Sequence, residues 1–531
     1  MSDPVPATRF PTASVPEDDP ELRDRRRGLL AGAIASLAML VTTIVLHAIT
    51  DVTSILDVLA DALLLFLPLG LFSGMLTTFG AQAKTLLLLG LLLVLIAIGA
   101  WFGRIVARQT YPTFRIPWRH SLGWGLGYFL LLTLFTALFV TERTPAFTGG
   151  ADILIVLRNL AIAMLVYALV LGPVLTLLRH QDAPASLRIE PVAPTTSRRR
   201  FLTRAGLAIA SLAGIGVLGR DVWTLATRKT FTLGTRGVMP SAITPNNQFY
   251  VISKNFTDPD PDRGDDWSLT IDGLVETPLT VTHADLEALG VETFTSTLTC
   301  ISNPIAGPLI GTAVWTGVPL AKVLALAGVQ DGAFKLIAEG EDGYSDSFPI
   351  ERARSAEPHI VWEMNGEALH RLHGTPVRLI VPGLYGIKNV KWLTKLTVTA
   401  EDYHGYWQER GWTDTAIIKT ESRIDVPGDR QVIAAGPTEI GGMAFAGDRG
   451  ITKVEVSTDD GETWIEATIT ENPSPEGLSW VLWTAPWSPE PGAYRLKVRA
   501  TDGTGELQTE ESAPELPDGA SGWHTITVGV A

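Results

Sequence analysis

Apolar runs long enough to cross a lipid bilayer crowd the first 220 residues and are missing from the rest of the chain. Residues 28–49, 83–106, 121–140 and 153–178 each match or exceed the roughly 20 residues that a spanning helix needs. A fifth run, 205–219, is shorter. Lipid leaves the backbone to satisfy its own polar groups, so such runs are restricted to helices. Arg158 lies near one end of its run, where it can snorkel or face a partner helix. The run 52–79 differs, because it carries Asp57 and Asp61, then Pro68 and several glycines. Two carboxylates inside a spanning helix are costly.

Charge then sets an expected topology. Cytoplasmic loops are rich in Lys and Arg. The basic loops are 23–27, 104–119 and 179–204. They share one side only if 52–79 stays interfacial or re-entrant on the outer face. That predicts a multi-pass cell-membrane protein with five spans over 28–219, an inside N-terminus, and everything after residue 219 outside the cytoplasm. A sixth span would place the C-terminal half in the cytoplasm.

Residues 1–27 hold five prolines and little apolar content, which predicts a disordered cytoplasmic tail. The segment 197–219 opens Ser197-Arg198-Arg199-Arg200-Phe201-Leu202-Thr203 and turns apolar, resembling an internal twin-arginine export signal. Such a route carries folded proteins across a membrane. A net charge of −14 argues against a nucleic-acid partner.

From 243 to 426 the pattern is mixed α and β. WSLTIDGLV, FKLIAEG, PVRLIVPG and LTKLTVT read as strands, and VPLAKVLALAGV reads as an amphipathic helix closing at a glycine. Residues 429–531 carry β signals only, with Asp459-Asp460-Gly461 as a hairpin turn, and predict an all-β immunoglobulin-like sandwich.

Cys300 is the only cysteine, so an intramolecular disulfide is impossible and its thiol is a buried spectator, a nucleophile or a metal ligand. It follows a β-branched run and precedes Ser-Asn-Pro, a strand-breaking sequence. The sulfur is therefore expected at a strand end, beside a loop with room for a large ligand. A thiolate there suits a soft or high-valent transition metal.

TCISNP, with WTGVPLAKVLALAGV after it, resembles the molybdenum-binding segment of the sulfite oxidase family. HGTPVRLIVPGLYGIKNVKWLTKLTV, residues 373–398, is similar to that family's pterin-binding segment. The resemblance runs from about residue 244 to the C-terminus. It implies an α+β molybdopterin-binding oxidoreductase domain holding molybdenum and molybdopterin, with Cys300 as the metal ligand. It also implies pterin contacts from His373, Arg378, Asn389, Val390 and Lys391, and an acidic contact from Asp342. Tyr250, Ser253 and Lys254 fall in a further, loosely matching pterin segment. Arg suits a phosphate or pterin edge through its planar fork.

Two positions depart from the family. Ile252 stands where sulfite oxidases carry a substrate-binding arginine, and Trp412 stands where they carry a tyrosine over the metal. An indole lacks a phenol's acidity. Trp412 is thus the second catalytic candidate, and sulfite is doubtful as substrate. The expected protein is a membrane-anchored oxidoreductase that moves an oxygen atom or two electrons between a small-molecule substrate and an electron-transfer partner. The resemblance also implies a homodimer through the C-terminal domain. A cofactor-free, membrane-tethered binding module is the other reading.

Overall fold

The computed structural model describes residues 20–50, 82–111, 118–139, 150–180 and, apart from 256–257 and 260–265, 237–531, with isolated positions 56, 59 and 63. The expectations for the tail before residue 20, most of the run 52–79, the twin-arginine-like segment and the span 205–219 lie outside these residues. The chain divides into two compact units, one over the apolar segments and one including residues 228–531.

Four helices form the first unit among the described residues: α1 (Pro20–Thr50), α2 (Gln82–Thr110), α3 (Trp118–Phe139) and α4 (Gly150–His180). Within them Pro20–Leu46, Leu86–Thr110 and Val156–Arg179 are long and apolar enough to cross a membrane. The helix α1 begins at Pro20, so Arg23–Arg27 belong to it and not to a tail. A proline is pre-set for a first helical position, and an acidic side chain (Glu21) suits the positive end of the helix dipole.

Small residues bring α1 and α2 together. Gly28 and Gly32 face Gly103 and Gly99, with no room for a Cβ on either side. Close backbone approach of this kind gains van der Waals contact along both helices. Arg179 of α4 holds Asp24 of α1 through two hydrogen bonds of 2.7 and 2.6 Å, and reaches Thr110 Oγ1 (3.1 Å) and Ala107 O (2.9 Å) of α2. The start of α1 and the ends of α2 and α4 therefore meet at one end of the bundle.

Among the described residues the second unit is built from four sheets. The first runs Leu279–Thr282, Ser268–Gly273, Leu393–Thr399, Lys335–Gly340, Ser345–Pro349, with one parallel pairing, between Ser268–Gly273 and Leu393–Thr399. The second places Glu292–Thr299 beside Ile310–Pro319 and then His359–Met364, which also pairs Arg378–Ile380. The helix Leu320–Ala327 packs on their shared core through Leu320, Val323, Leu324 and Ala327, the i, i+3, i+4, i+7 positions of one face. Full burial of a large aliphatic side chain of this kind stabilises by roughly 1.5–3 kcal/mol. Gly328, at φ 67°, ends the helix in the left-handed conformation that glycine adopts without strain.

Two further sheets share one apolar core that includes Ile440, Trp483, Leu496 and Val528. One orders Glu421–Val426, Thr438–Phe445, Val481–Trp487, Thr468–Glu471, and the other Val432–Ile433, His524–Val530, Gly492–Asp502, Ile451–Ser457, Ile465–Glu466. The C-terminal sheets thus begin at Glu421, before the expected start at 429, because Glu421–Val426 pairs with Thr438–Phe445. Trp480 ties these sheets to the preceding ones: its backbone N–H donates to Thr297 Oγ1 (2.8 Å) and its indole to Ala242 O (2.8 Å).

Candidate active site

Cys300 follows the strand Glu292–Thr299 directly, and the last ladder pair is Thr299 with Ile310. The loop between them is closed by Cys300 N–H donating to Leu309 O (2.9 Å) and Asn303 N–H to Cys300 O (2.9 Å). The sulfur therefore sits at a strand end, as the sequence predicts. It is 6% exposed, and Sγ lies 3.1 Å from Ser302 Oγ. Burial pushes the thiol pKa up, and the Ser302 hydroxyl opposes this.

A cleft opens on Cys300. Its walls include Tyr250, Ser253, Lys254, Asp342, His373, Arg378, Asn389 and Lys391. These candidates come from stretches up to 141 positions apart (391 − 250), and the fold brings them to one cavity. Gly386 makes the approach possible: a Cβ there would stand 3.0 Å from Tyr250 Oη and 3.8 Å from Cys300 Cα. Gly374, at φ 107°, lets His373 turn away before Arg378, and a Cβ there would meet Lys391 and Arg378 Cβ at 3.0 and 3.1 Å.

The charged walls are held in place. Arg378 Nη1 donates to His373 O (3.0 Å) and Nη2 to Asn389 O (3.3 Å), while Nε, also buried, has no partner. Burial lowers the Arg378 pKa to about 10, so the side chain stays cationic at neutral pH. His373 is neutral there: burial, then Arg378, lowers its pKa to about 4. Its Nε2 is 3.2 Å from Asn246 O, so a neutral ring donating there leaves Nδ1 as an acceptor. Lys254 Nζ donates to Asn255 Oδ1 (2.8 Å) and Asp342 O (2.9 Å). Lys391 Nζ donates to Leu372 O (3.2 Å) and lies 4.2 Å from the centre of the Trp392 ring.

Residues 256–407 match the family described as "Oxidoreductase molybdopterin binding domain", and 413–530 the one described as "Mo-co oxidoreductase dimerisation domain". The chain is 30% identical over 312 residues to the sulfite oxidase of Arabidopsis thaliana, which covers 47% of this chain and 78% of that protein. It belongs to the sulfite oxidase family. It is accordingly a molybdopterin-dependent oxidoreductase, and its cofactor is molybdenum with molybdopterin. Human mitochondrial sulfite oxidase is 32% identical over 257 residues, 42% of this chain but only 47% of that protein. The solved structure of the sulfane dehydrogenase SoxCD from Paracoccus pantotrophus aligns over 54% of this chain and 81% of its own, at 27% identity and a TM-score of 0.48.

The residues present fit the family's cofactor. Arg378 has five N–H donors and spends two on carbonyls, leaving the buried Nε–H without a partner beside the cleft. Two lysines and this arginine line a cavity that also holds the one thiol. Cationic donors and a soft sulfur are the donor set that a phosphate-bearing pterin and a transition metal require.

Two candidates lie elsewhere. Trp412 does not line the cleft: it is 5% exposed in a cluster with Ile301, Tyr385, Ile387 and Met443, where the C-terminal sheets pack behind the site. Its backbone N–H returns to Trp407 O (3.1 Å), and Trp407, with Trp392, does line the cavity. Val390 is 1% exposed and belongs to the core under the first two sheets, its carbonyl accepting Leu379 N–H (2.8 Å). An apolar side chain next to a cofactor motif goes to the core. Tyr344 also lines the cleft and was not legible, because it stands in a turn with no motif around it.

Proposed function

We propose that this protein is a membrane-anchored molybdopterin oxidoreductase acting on a small substrate outside the cytoplasm. The observation that carries this reading is the gathering of Cys300 with Lys254, His373, Arg378 and Lys391 in one cleft. In it Cys300 Sγ ligates molybdenum, while Arg378, Lys391, Lys254 and neutral His373 bind and orient the pterin and its phosphate. Tyr250, Ser253, Asp342 and Asn389 complete those walls. The cofactor, when bound, supplies two-electron and oxygen-atom transfer chemistry. The chain supplies fixed charge, and Asn389 fixes the loop beneath it: its Oδ1 accepts Val381 N–H (2.7 Å) and its Nδ2 donates to Tyr385 O (3.1 Å).

Two of the similar proteins named above are sulfite oxidases, but sulfite is a poor fit here. Ile252 lines the cleft, and an aliphatic side chain cannot receive an anion. The nearby Lys254 spends two of its three donors on Asn255 and Asp342, and in this reading the third serves the pterin. Purified protein should contain close to one molybdenum per chain and reduce a redox dye with an uncharged small substrate faster than with sulfite. Absence of molybdenum would overturn the proposal, and fast sulfite turnover would overturn the substrate part alone.

The meeting of Asp24, Thr110 and Arg179 supports a common side for the three basic segments, with the C-terminal end of α1 and the N-terminal end of α2 at the other end of the helices. With the basic end cytoplasmic, the catalytic unit is expected outside after five spans, beside an electron-accepting partner. A phosphatase reporter fused after Gly219 should be active and one fused near Arg108 inactive; the reverse pattern would exclude this topology. Two sheets around one core support an immunoglobulin-like sandwich at the C-terminus. The matched dimerisation domain supports a homodimer through it.

A further inference from the structure

A chain of acidic and basic groups leads away from the cleft at Tyr344. Tyr344 Oη, on the cleft wall, lies 2.6 Å from Ile387 O and 3.0 Å from Asp346 Oδ2, and its hydrogen can serve either. Asp346 is 1% exposed, and its Oδ1 accepts from Lys388 Nζ at 2.7 Å. Lys388 is fully buried and also donates to Asp414 Oδ1 at 3.1 Å. Asp414 Oδ2 accepts from Lys335 Nζ at 2.7 Å, and Lys335 pairs with Asp402 Oδ1 at 2.5 Å. The Asp402 side chain is 63% exposed.

We propose that Tyr344, Asp346, Lys388, Asp414, Lys335 and Asp402 form a proton path between the cleft and solvent. The inference rests on the oxidoreductase reading above. Oxygen-atom transfer from water releases two protons for each electron pair passed on, and reduction consumes them. Burying two lysines and a carboxylate is expensive, and an apolar set of similar volume would hold the fold as well or better. These groups alternate in charge without a gap, from a hydroxyl in the cavity to an exposed carboxylate. Such continuity is what proton movement needs and what packing does not.

Outward, Tyr344 gives its hydroxyl proton to Asp346 and takes one from water in the cleft. After the Asp346 carboxyl rotates, Lys388 gives a proton to Asp414 and takes that of Asp346. Lys335 does the same between Asp414 and Asp402, and Asp402 releases one to solvent. One proton leaves the cleft, one enters solvent, and every group ends as it began. The other groups facing Asp346 are Gln408, whose Nε2 lies 3.3 Å from Oδ2, the Ser347 N–H, and Tyr403 nearby. Burial raises the Asp346 pKa, which Lys388 opposes, so its carboxyl accepts a proton more readily than an exposed one.

The test needs no substrate. Cofactor-loaded protein is mixed with reduced viologen radical in weak buffer, and electron uptake (viologen absorbance) is followed together with proton uptake (an indicator dye). In the unmodified protein the two should keep pace. Tyr344→Phe, which keeps the ring and removes only the hydroxyl, should make proton uptake lag about a hundred-fold, the low end of what a positioned proton-transfer group contributes. Lys388→Met should do the same if it folds, with molybdenum content unchanged in both. A Tyr344→Phe protein with full molybdenum content and no lag overturns the path alone. An unmodified protein that takes up no electrons overturns the oxidoreductase reading and the path with it.

Discussion

Replacing Cys300 with serine is expected to abolish turnover while the protein stays folded. Loss of an outer-shell partner at a metal costs roughly 10–100-fold in affinity or activity, and loss of the protein's own ligand should exceed that. Serine offers a hard hydroxyl of similar size, and the local bonds are made by backbone: Cys300 N–H to Leu309 O and Asn303 N–H to Cys300 O. Neither needs sulfur, so the melting temperature should change little. Dye reduction, molybdenum content and melting temperature measured together separate a ligand from a packing residue. Thiol labelling adds an independent readout, since any reagent reports on this single cysteine. A small alkylating agent should modify Cys300 slowly in cofactor-loaded protein and faster once the cofactor is removed, in protein that is still folded. The cleft gives it a route to Cys300, although at 6% exposure the thiol will remain slower than a surface one. A fully active serine variant, with equal labelling in both states, would take Cys300 off the metal.

How much of this was legible in the sequence depends on the range over which each feature is determined. The strand end at Cys300 could be read because a β-branched run and a Ser-Asn-Pro break lie within a few residues of it. The helix Leu320–Ala327 could be read because its apolar spacing and closing glycine are local. The cleft residues of the His-Gly-x-Pro-Val-Arg segment came with a motif. What could not be read is set by contacts across the chain. Trp412 is buried because Met443, Phe445 and Trp480 of the C-terminal sheets close over the cluster it occupies. Glu421–Val426 gives no break in composition, and only its pairing with Thr438–Phe445 assigns it to those sheets. The start of α1 at Pro20 is tied to Arg179 by a bond between Asp24 and a residue 155 positions away. Lys388 has nothing local to mark it, yet it is fully buried and paired with Asp346, 42 positions earlier.

Arg378→Ala should lower the protein's hold on molybdopterin by about ten-fold to more than a hundred-fold. That range follows from roughly 1.5–3 kcal/mol for a hydrogen bond to a charged group. Two of the five donors already serve His373 O and Asn389 O, so the guanidinium is a fixed part of the wall, and the buried Nε–H has no partner within the protein. Its removal has a second consequence, because those carbonyls lose their donor inside the protein. Each buried group left unpaired costs about 1–3 kcal/mol, so alanine should lower stability as well. Arg378→Lys separates the two effects. It keeps a cation but loses the planar fork, so it should restore part of the cofactor affinity and only one of the carbonyl bonds. Molybdenum and pterin per chain, measured after dilution and dialysis, report affinity; a melting curve of the cofactor-free protein reports the carbonyls. Cofactor content should fall in the order arginine, lysine, alanine. Full retention in the alanine variant, with melting lowered all the same, would make Arg378 a structural brace and move the pterin to other residues of the cleft.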